Sequence, residues 1–275
     1  MVVVIQCKDK VGLVADIASV MARFGVNILT MKEYVDINEG MFFARLVIEP
    51  FNDIVVLQNA LQQALPSDAL VKVNPEPEKK IVVLVTKEYH CLSDILIRNH
   101  FKTLGATVEA VIGNYADLAN ICERFDVPFY EISHEGKDKS TFEHEIKKRL
   151  ANHKFDYMVL AKFMRILSPD FVASYPYQII NIHHSFLPAF IGASPYKRAF
   201  HRGVKLIGAT AHFVTDDLDE GPIIVQKTIP VDHTYSVSDM VRAGKEIETS
   251  ALVKALHFVF EDKVFVFNNK TVVFE

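Results

Sequence analysis

The sequence predicts an α/β protein in two parts: a small βαββαβ unit, then a mostly parallel sheet with helices on both faces. Three observations predict it. Strand-like and helix-like periodicities run in the order βαββαβ over roughly the first 75 residues, the split-βαβ pattern of a ferredoxin-like fold. Asn74-Pro-Glu-Pro-Glu-Lys-Lys80, with two prolines and four charges, then interrupts the pattern as a linker does. From Ile81 onward, short runs of purely apolar residues alternate with helical stretches, as in strands buried on both faces. The expected boundaries are 1–75 for the first domain, 76–80 for the linker and 81–275 for the second domain.

In the first part, residues 2–6 are a β-branched, strand-like run. Asp9-Lys-Val-Gly12 turns the chain. Val11, Val14, Ile17, Ala18 and Met21 then recur at helical spacing, and Gly25 suits a left-handed helix end. Residues 26–36 and 41–49 read as strands joined at Asn38-Glu-Gly40. Ile54, Leu57, Leu61 and Ala64 mark a second helix, and residues 70–73 a last strand. This order gives an antiparallel four-stranded sheet with its helices on one face.

In the second part, strands are expected at 81–86, 107–113, 128–132, 157–161 and 178–182, and helices at 92–103, 115–125 and 141–152. A strand at 208–214 leads through an acidic turn to another at 223–226. A long helix follows at 238–259, then a hairpin of 264–267 and 271–274 around Asn268-Asn269. Such a sheet binds ligands where its strands finish.

Composition narrows the function classes. Half of the 275 residues are hydrophobic and 23% are charged, which suits a packed globular core. Lys and Arg number 30 against 34 Asp and Glu, a net charge of −4, so there is no basic excess for a nucleic-acid backbone. Cys7, Cys91 and Cys122 are an odd set without CxxC spacing, which excludes a disulfide framework or a four-cysteine zinc site. The first residues lack a signal-peptide pattern, and no apolar stretch reaches the roughly 18 residues of a membrane span. A soluble, cytoplasmic protein is expected.

Chemistry concentrates in Gln178-Ile-Ile-Asn-Ile-His-His-Ser185. A strand puts Asn181 and His183 on one face and Ile182 on the other. An apolar strand that ends in Asn-x-His-His fits a reaction site, although a buried Asn and His satisfied by backbone partners leave the same pattern. Asp216, Asp217, Asp219 and Glu220 crowd the turn after residue 214. Most such carboxylates are solvated, but Asp219 sits beside Gly221-Pro222, where the chain turns back towards the sheet. A carboxylate beside an imidazole fixes its tautomer and raises its pKa, so that the ring can protonate a leaving group. Asn181 is a neutral donor suited to a carbonyl oxygen that gains charge. None of the three is itself a nucleophile, so the attacking group is external, water or an amine. His212, His183 and Asp219 together suggest zinc ligands only by proximity, and no metal is expected.

Asn181-Ile-His183, Ser185-Phe-Leu-Pro188, Phe163-Met-Arg-Ile-Leu-Ser-Pro169 and His212-Phe-Val-Thr-Asp-x-Leu-Asp219-x-Gly-Pro222 resemble the folate-dependent formyltransferase family in order and spacing, over roughly residues 80–275. The resemblance implies a Rossmann-like domain with Asn181, His183 and Asp219 as catalytic residues. It also implies that Phe163, Arg165, Ile166 and Leu167, with Val214 and Asp216 opposite, hold the folate. Members that formylate a phosphorylated amine carry a glycine-rich loop after the first strand. Here that loop reads Val85-Thr-Lys-Glu-Tyr-His-Cys-Leu-Ser-Asp94, without glycine and with Glu88 set to repel a phosphate. Lys87-Glu-x-His-Cys-Leu, His183-His184, Pro195-Tyr-Lys197 and Asp232-His-Thr234 resemble instead the branch that hydrolyses 10-formyltetrahydrofolate to formate and tetrahydrofolate. That activity supplies formate for purine synthesis and balances one-carbon folate pools. The alternative is transfer of the formyl group to an amine acceptor. Folate is then the substrate, and no cofactor is expected.

The N-terminal unit resembles an ACT domain, with Asp9-x-x-Gly12 and Gly25-x-Asn27 at its amino-acid-binding corner. By that resemblance methionine and glycine are possible effectors, with Asp9, Gly12, Gly25 and Asn27 as their candidate ligands, and the chain forms a homo-oligomer.

Overall fold

The computed structural model describes residues 1–74, 78–188 and 195–275. Contacts divide the chain into two units. One gathers the N-terminal residues with Phe258–Phe267 and Val272–Glu275, and the other gathers Glu78–His257 with Asn268–Thr271.

The first unit runs β1 (Val2–Lys8), α1 (Leu13–Arg23), β2 (Ile28–Asp36), β3 (Met41–Ile48), α2 (Ile54–Ala64) and β4 (Leu70–Asn74). The strands form one antiparallel sheet in the order β2-β3-β1-β4. Alternation along the strands sorts side chains between two faces. Val3, Ile5, Cys7, Ala44 and Leu46 point to one face and share a core with Ile17 and Met21 of α1 and Leu57 and Leu61 of α2. Gly25 takes φ +63°, the left-handed end that its position after α1 predicts.

The opposite face carries Met41 and Phe43 on alternate residues of β3. They pack with Phe265 and Phe274 of the C-terminal segment, where β12 (Val264–Phe267) and β13 (Lys270–Val273) form the expected hairpin. The Phe43 and Phe265 rings meet edge to face at 5.7 Å. Sequence order puts this hairpin in the 81–275 domain, whereas its contacts group most of it with the N-terminal unit. An apolar second face at Met41 and Phe43 needs a cover, and the C-terminal strands supply it.

The linker is expected at 76–80. Residues 75–77 lie outside the described residues, and β5 (Lys79–Val85) begins two residues earlier than residue 81. The ladder extends because Lys79 and Lys80 pair with Ala106 and Thr107 of the next strand of the sheet, while Lys80 N donates to Asp156 Oδ2 at 2.8 Å and Lys80 O accepts from Asp156 N at 2.7 Å.

The second unit continues with α3 (His90–His100), β6 (Ala106–Gly113), α4 (Ala119–Arg124), β7 (Phe129–Glu131), α5 (Lys139–Leu150), β8 (Tyr157–Leu160), α6 (Pro169–Ala173), β9 (Ile179–His183), α7 (Pro195–Arg202), β10 (Leu206–Phe213), β11 (Ile223–Pro230) and, through His257, α8 (Val237–Phe260). Its seven-stranded sheet has the order β11-β10-β9-β8-β5-β6-β7. The pairs from β9 through β7 are parallel, and β10 and β11 join antiparallel. The helix expected at 115–125 is split, with a 3₁₀ turn at Ala116–Leu118 leading into α4. The sequence reading does not assign α6, which Ser168 caps with Pro169 at its first position. Among the described residues, no helix is long and apolar enough to cross a membrane, and the three cysteines are free and buried.

Candidate active site

Asn181 and His183 leave the same face of β9. Across the ladder Asn181 opposes His212 of β10 directly, and Asn181 Nδ2 lies 3.2 Å from His212 Nε2. The buried His212 places Nδ1 2.9 Å from the Phe213 carbonyl oxygen. A carbonyl only accepts, so Nδ1 carries the proton and Nε2 the lone pair. The Asn181 amide therefore donates one N–H to His212 and keeps a second for the cavity. Burial holds His212 below its ordinary pKa, in keeping with a neutral ring.

Asp219 comes from the loop after β10. Val214 N donates to Ile179 O at the start of β9, and Phe213 N donates to Pro222 O, both at 2.9 Å. The loop thus starts at the far end of β9 and doubles back over the sheet to reach His183. Gly221 permits this close return, because a Cβ there would fall 1.8 Å from the Phe213 carbonyl oxygen. Asp219 itself takes φ +59°, a left-handed conformation that Asp tolerates better than most residues. Its Oδ1 lies 3.2 Å from His183 Nδ1 and 3.8 Å from His212 Nε2. Burial works against the charge on Asp219, but the His183 hydrogen bond and the neighbouring imidazoles bring its carboxyl below the ordinary value. His183 donates from Nδ1 to this carboxylate. Its Nε2 is buried and has no hydrogen-bond partner among the described residues, which leaves that atom to exchange a proton.

The facing wall is residues 163–168, after β8. Thr86 Oγ1 accepts from Met164 N at 2.9 Å at one end. At the other, Ser168 N donates to the buried Glu143 Oε1 of α5 at 2.7 Å. A cavity of about 260 Å³ lies between the walls. Asn181, His183, Asp219, Phe163, Arg165, Ile166, Leu167, Val214 and Asp216 all line it, so the structure brings the nine residues expected at the folate site around one cavity. Met164, Ile166 and Leu218, also lining it, are 53, 62 and 52% exposed. Three large apolar side chains left open to water around one cavity form a wall suited to a flat, apolar-faced ligand.

The four candidate effector residues are not brought together in this way. Gly12 caps the start of α1 at φ +94°, and Gly25 lies just past its end. The helix between them spans about 16 Å at 1.5 Å per residue, so Asp9 and Gly12 stand at one end of α1 and Gly25 and Asn27 at the other.

A second polar cluster escaped the sequence reading. Glu248 of α8, 1% exposed, lies with Oε2 2.8 Å from His90 Nε2 and 3.1 Å from Lys162 Nζ, and its Oε1 accepts from Tyr196 OH at 2.7 Å. Gly244, one turn earlier, makes room for Tyr196, since a Cβ there would fall 2.2 Å from its ring. Burial disfavours the Glu248 charge, but the His90 hydrogen bond, the Lys162 ammonium and the Tyr196 hydroxyl bring its pKa down to about 2. The available signal was a glutamate on the stripe of Gly244, Ala251, Leu252 and Ala255, the packed face of α8. Nothing in the sequence marks Lys162, which the fold turns inward at φ +62°. His90, Cys91 and Glu248 also bring possible metal-ligand atoms within 4.8 Å of one another. Burial, however, pushes the Cys91 thiol up to about 12, and the Lys162 ammonium already sits on the carboxylate, so the group is an ion-pair cluster.

Comparison with known proteins bears on this geometry. A family model described as formyl transferase matches residues 79–256, and the ACT domain model matches residues 1–65. A formyltetrahydrofolate deformylase of Escherichia coli (strain K12) is 48% identical over 268 residues, covering 97% of this chain and 95% of that protein. The crystal structure of a formyltetrahydrofolate deformylase from Pseudomonas syringae pv. tomato superposes with a TM-score of 0.93 at 38% identity, over 100% of this chain and 94% of that one. A glycinamide ribonucleotide transformylase from Symbiobacterium toebii superposes with a TM-score of 0.69 at 28% identity, over 72% of this chain and 95% of that one. Two domains matched along nearly the whole length, and not the second domain alone, assign the chain: it belongs to the formyltetrahydrofolate deformylase family.

Proposed function

We propose that the cavity hydrolyses 10-formyltetrahydrofolate to formate and tetrahydrofolate. The observation that carries this reading is the convergence of the Asn181 amide, the unpartnered His183 Nε2 and the Asp219 carboxylate on one apolar-walled cavity. The pterin lies against the wall of residues 163–167, with Val214 and Asp216 opposite, and the formyl group reaches between Asn181 and His183. Water attacks the formyl carbon, and the oxygen that gains charge accepts from the spare Asn181 N–H. His183 Nε2 takes a proton from the water and delivers it to N10 as the C–N10 bond breaks. Asp219 stabilises the imidazolium in between. One water is consumed, its oxygen ends in formate, and N10 gains a hydrogen. Removal of any one of the three groups raises the barrier by about 2–4 kcal/mol.

Transfer to an amine is the less favoured reading. The loop of residues 85–94 holds no glycine to cradle a phosphate and carries Glu88. The release of formate in one-carbon metabolism and purine synthesis, operation in the cytoplasm, a homo-oligomer and control by methionine and glycine through the N-terminal unit all belong to the same reading. The ACT match supports amino-acid control as a class. The test is formate release from 10-formyltetrahydrofolate without any amine, measured with and without methionine and glycine. Turnover that appears only when an amine is supplied would replace hydrolysis by transfer.

A further inference from the structure

This inference rests on the hydrolytic reading and concerns the choice of acceptor. A fold does not by itself decide whether water or an amine receives the formyl group. His184 lines the cavity next to His183, with the two rings stacked at 5.0 Å and 19°. Behind it stands Tyr196, whose ring lies 6.3 Å from that of His184 and whose hydroxyl is fixed on Glu248. Lys162 also lines the cavity, is 8% exposed, and is held by the same Glu248. A buried charge pair of this kind costs desolvation and is a poor source of stability. The catalytic steps above do not use it.

We infer that the buried Lys162–Glu248 pair selects the acceptor: through Tyr196 and His184 it fixes the wall beside His183, so that water enters and a larger amine does not. The groups that face His184 are Lys162, His183, Glu248 and Asp219. Burial first, then the neighbouring Lys162 ammonium, lower the His184 pKa to about 4, and the opposing pull of Glu248 and Asp219 is smaller. The ring is therefore neutral at neutral pH and keeps a lone pair for a water hydrogen. Lys162 and Glu248 act through their neighbours and are positioning residues.

The test uses the full chain with 10-formyltetrahydrofolate, with and without glycinamide, and measures formate and N-formylglycinamide. The wild type releases formate and formylates no glycinamide. Wild-type protein that releases no formate would remove the hydrolytic reading itself. In the double variant Lys162→Met/Glu248→Gln, which removes both charges of the pair and keeps an amide beside His90 and Tyr196, kcat for formate falls about tenfold or more while KM for the folate stays within about threefold, and N-formylglycinamide appears. Lys162→Gln, which keeps a donor towards Glu248, gives the same two readouts if the double variant does not fold. A folded variant that makes no formylated amine overturns the inference, whether or not its kcat has fallen.

Discussion

His183 Nδ1 and Asp219 Oδ1 lie 3.2 Å apart, although β9 carries one and the loop after β10 the other. The contact orients the ring so that Nε2 is left to act. Asp219→Asn keeps the size but removes the charge that stabilises an imidazolium. Binding of the folate is expected to persist, with turnover lower by about a hundredfold or more. Steady-state kinetics beside a direct binding measurement check this, and near-normal turnover would remove Asp219 from the mechanism.

Gly221→Ala tests how the loop delivers that carboxylate. The added methyl meets backbone at Phe213, not the flexible end of a side chain, so the loop must move. Turnover is expected to fall at least about tenfold, because a misplacement near 1 Å weakens an oriented site strongly. The fold should survive, since the change lies in the connection between β10 and β11 and not within either strand. Circular dichroism and kinetics together separate the two effects.

Phe265→Ala tests the cover on the second face of the N-terminal sheet. The ring is buried against Phe43 in the cluster with Met41 and Phe274. Losing a buried phenylalanine costs about 3–5 kcal/mol. Denaturant titration should show that loss, and a change below about 1 kcal/mol would mean that the hairpin does not seal this face.

Stability should fall on mild acidification through His184. Its folded pKa is lowered to about 4 from an ordinary 6.5. Between those values the unfolded chain binds the extra proton, so stability declines as pH drops from 6.5 towards 4, by at most about 1.4 kcal/mol per unit from this group. Below 4 both states are protonated and the contribution levels off. His184→Gln should flatten this part of the profile, as pH-dependent denaturation can measure.

Much of this was legible in the amino-acid order. Alternating and helical periodicities gave the order of the first part and the strands and longer helices of the second, because burial on one face of a strand or helix leaves its period in the chain; the short helices α6 and α7 span too few turns to do so. Asn181, His183 and Asp219 stood out because polar residues that end an apolar strand, or sit at a glycine-proline turn, have few structural reasons to be there. Tertiary structure alone decided three things. It joined the C-terminal hairpin to the N-terminal unit, a pairing between segments more than 200 residues apart with no local pattern to announce it. It folded the loop after β10 back over the sheet to set Asp219 on His183. It also buried Lys162 on Glu248. Periodicity reports which face of one element is dry, but it carries no record of which distant side chain that face meets.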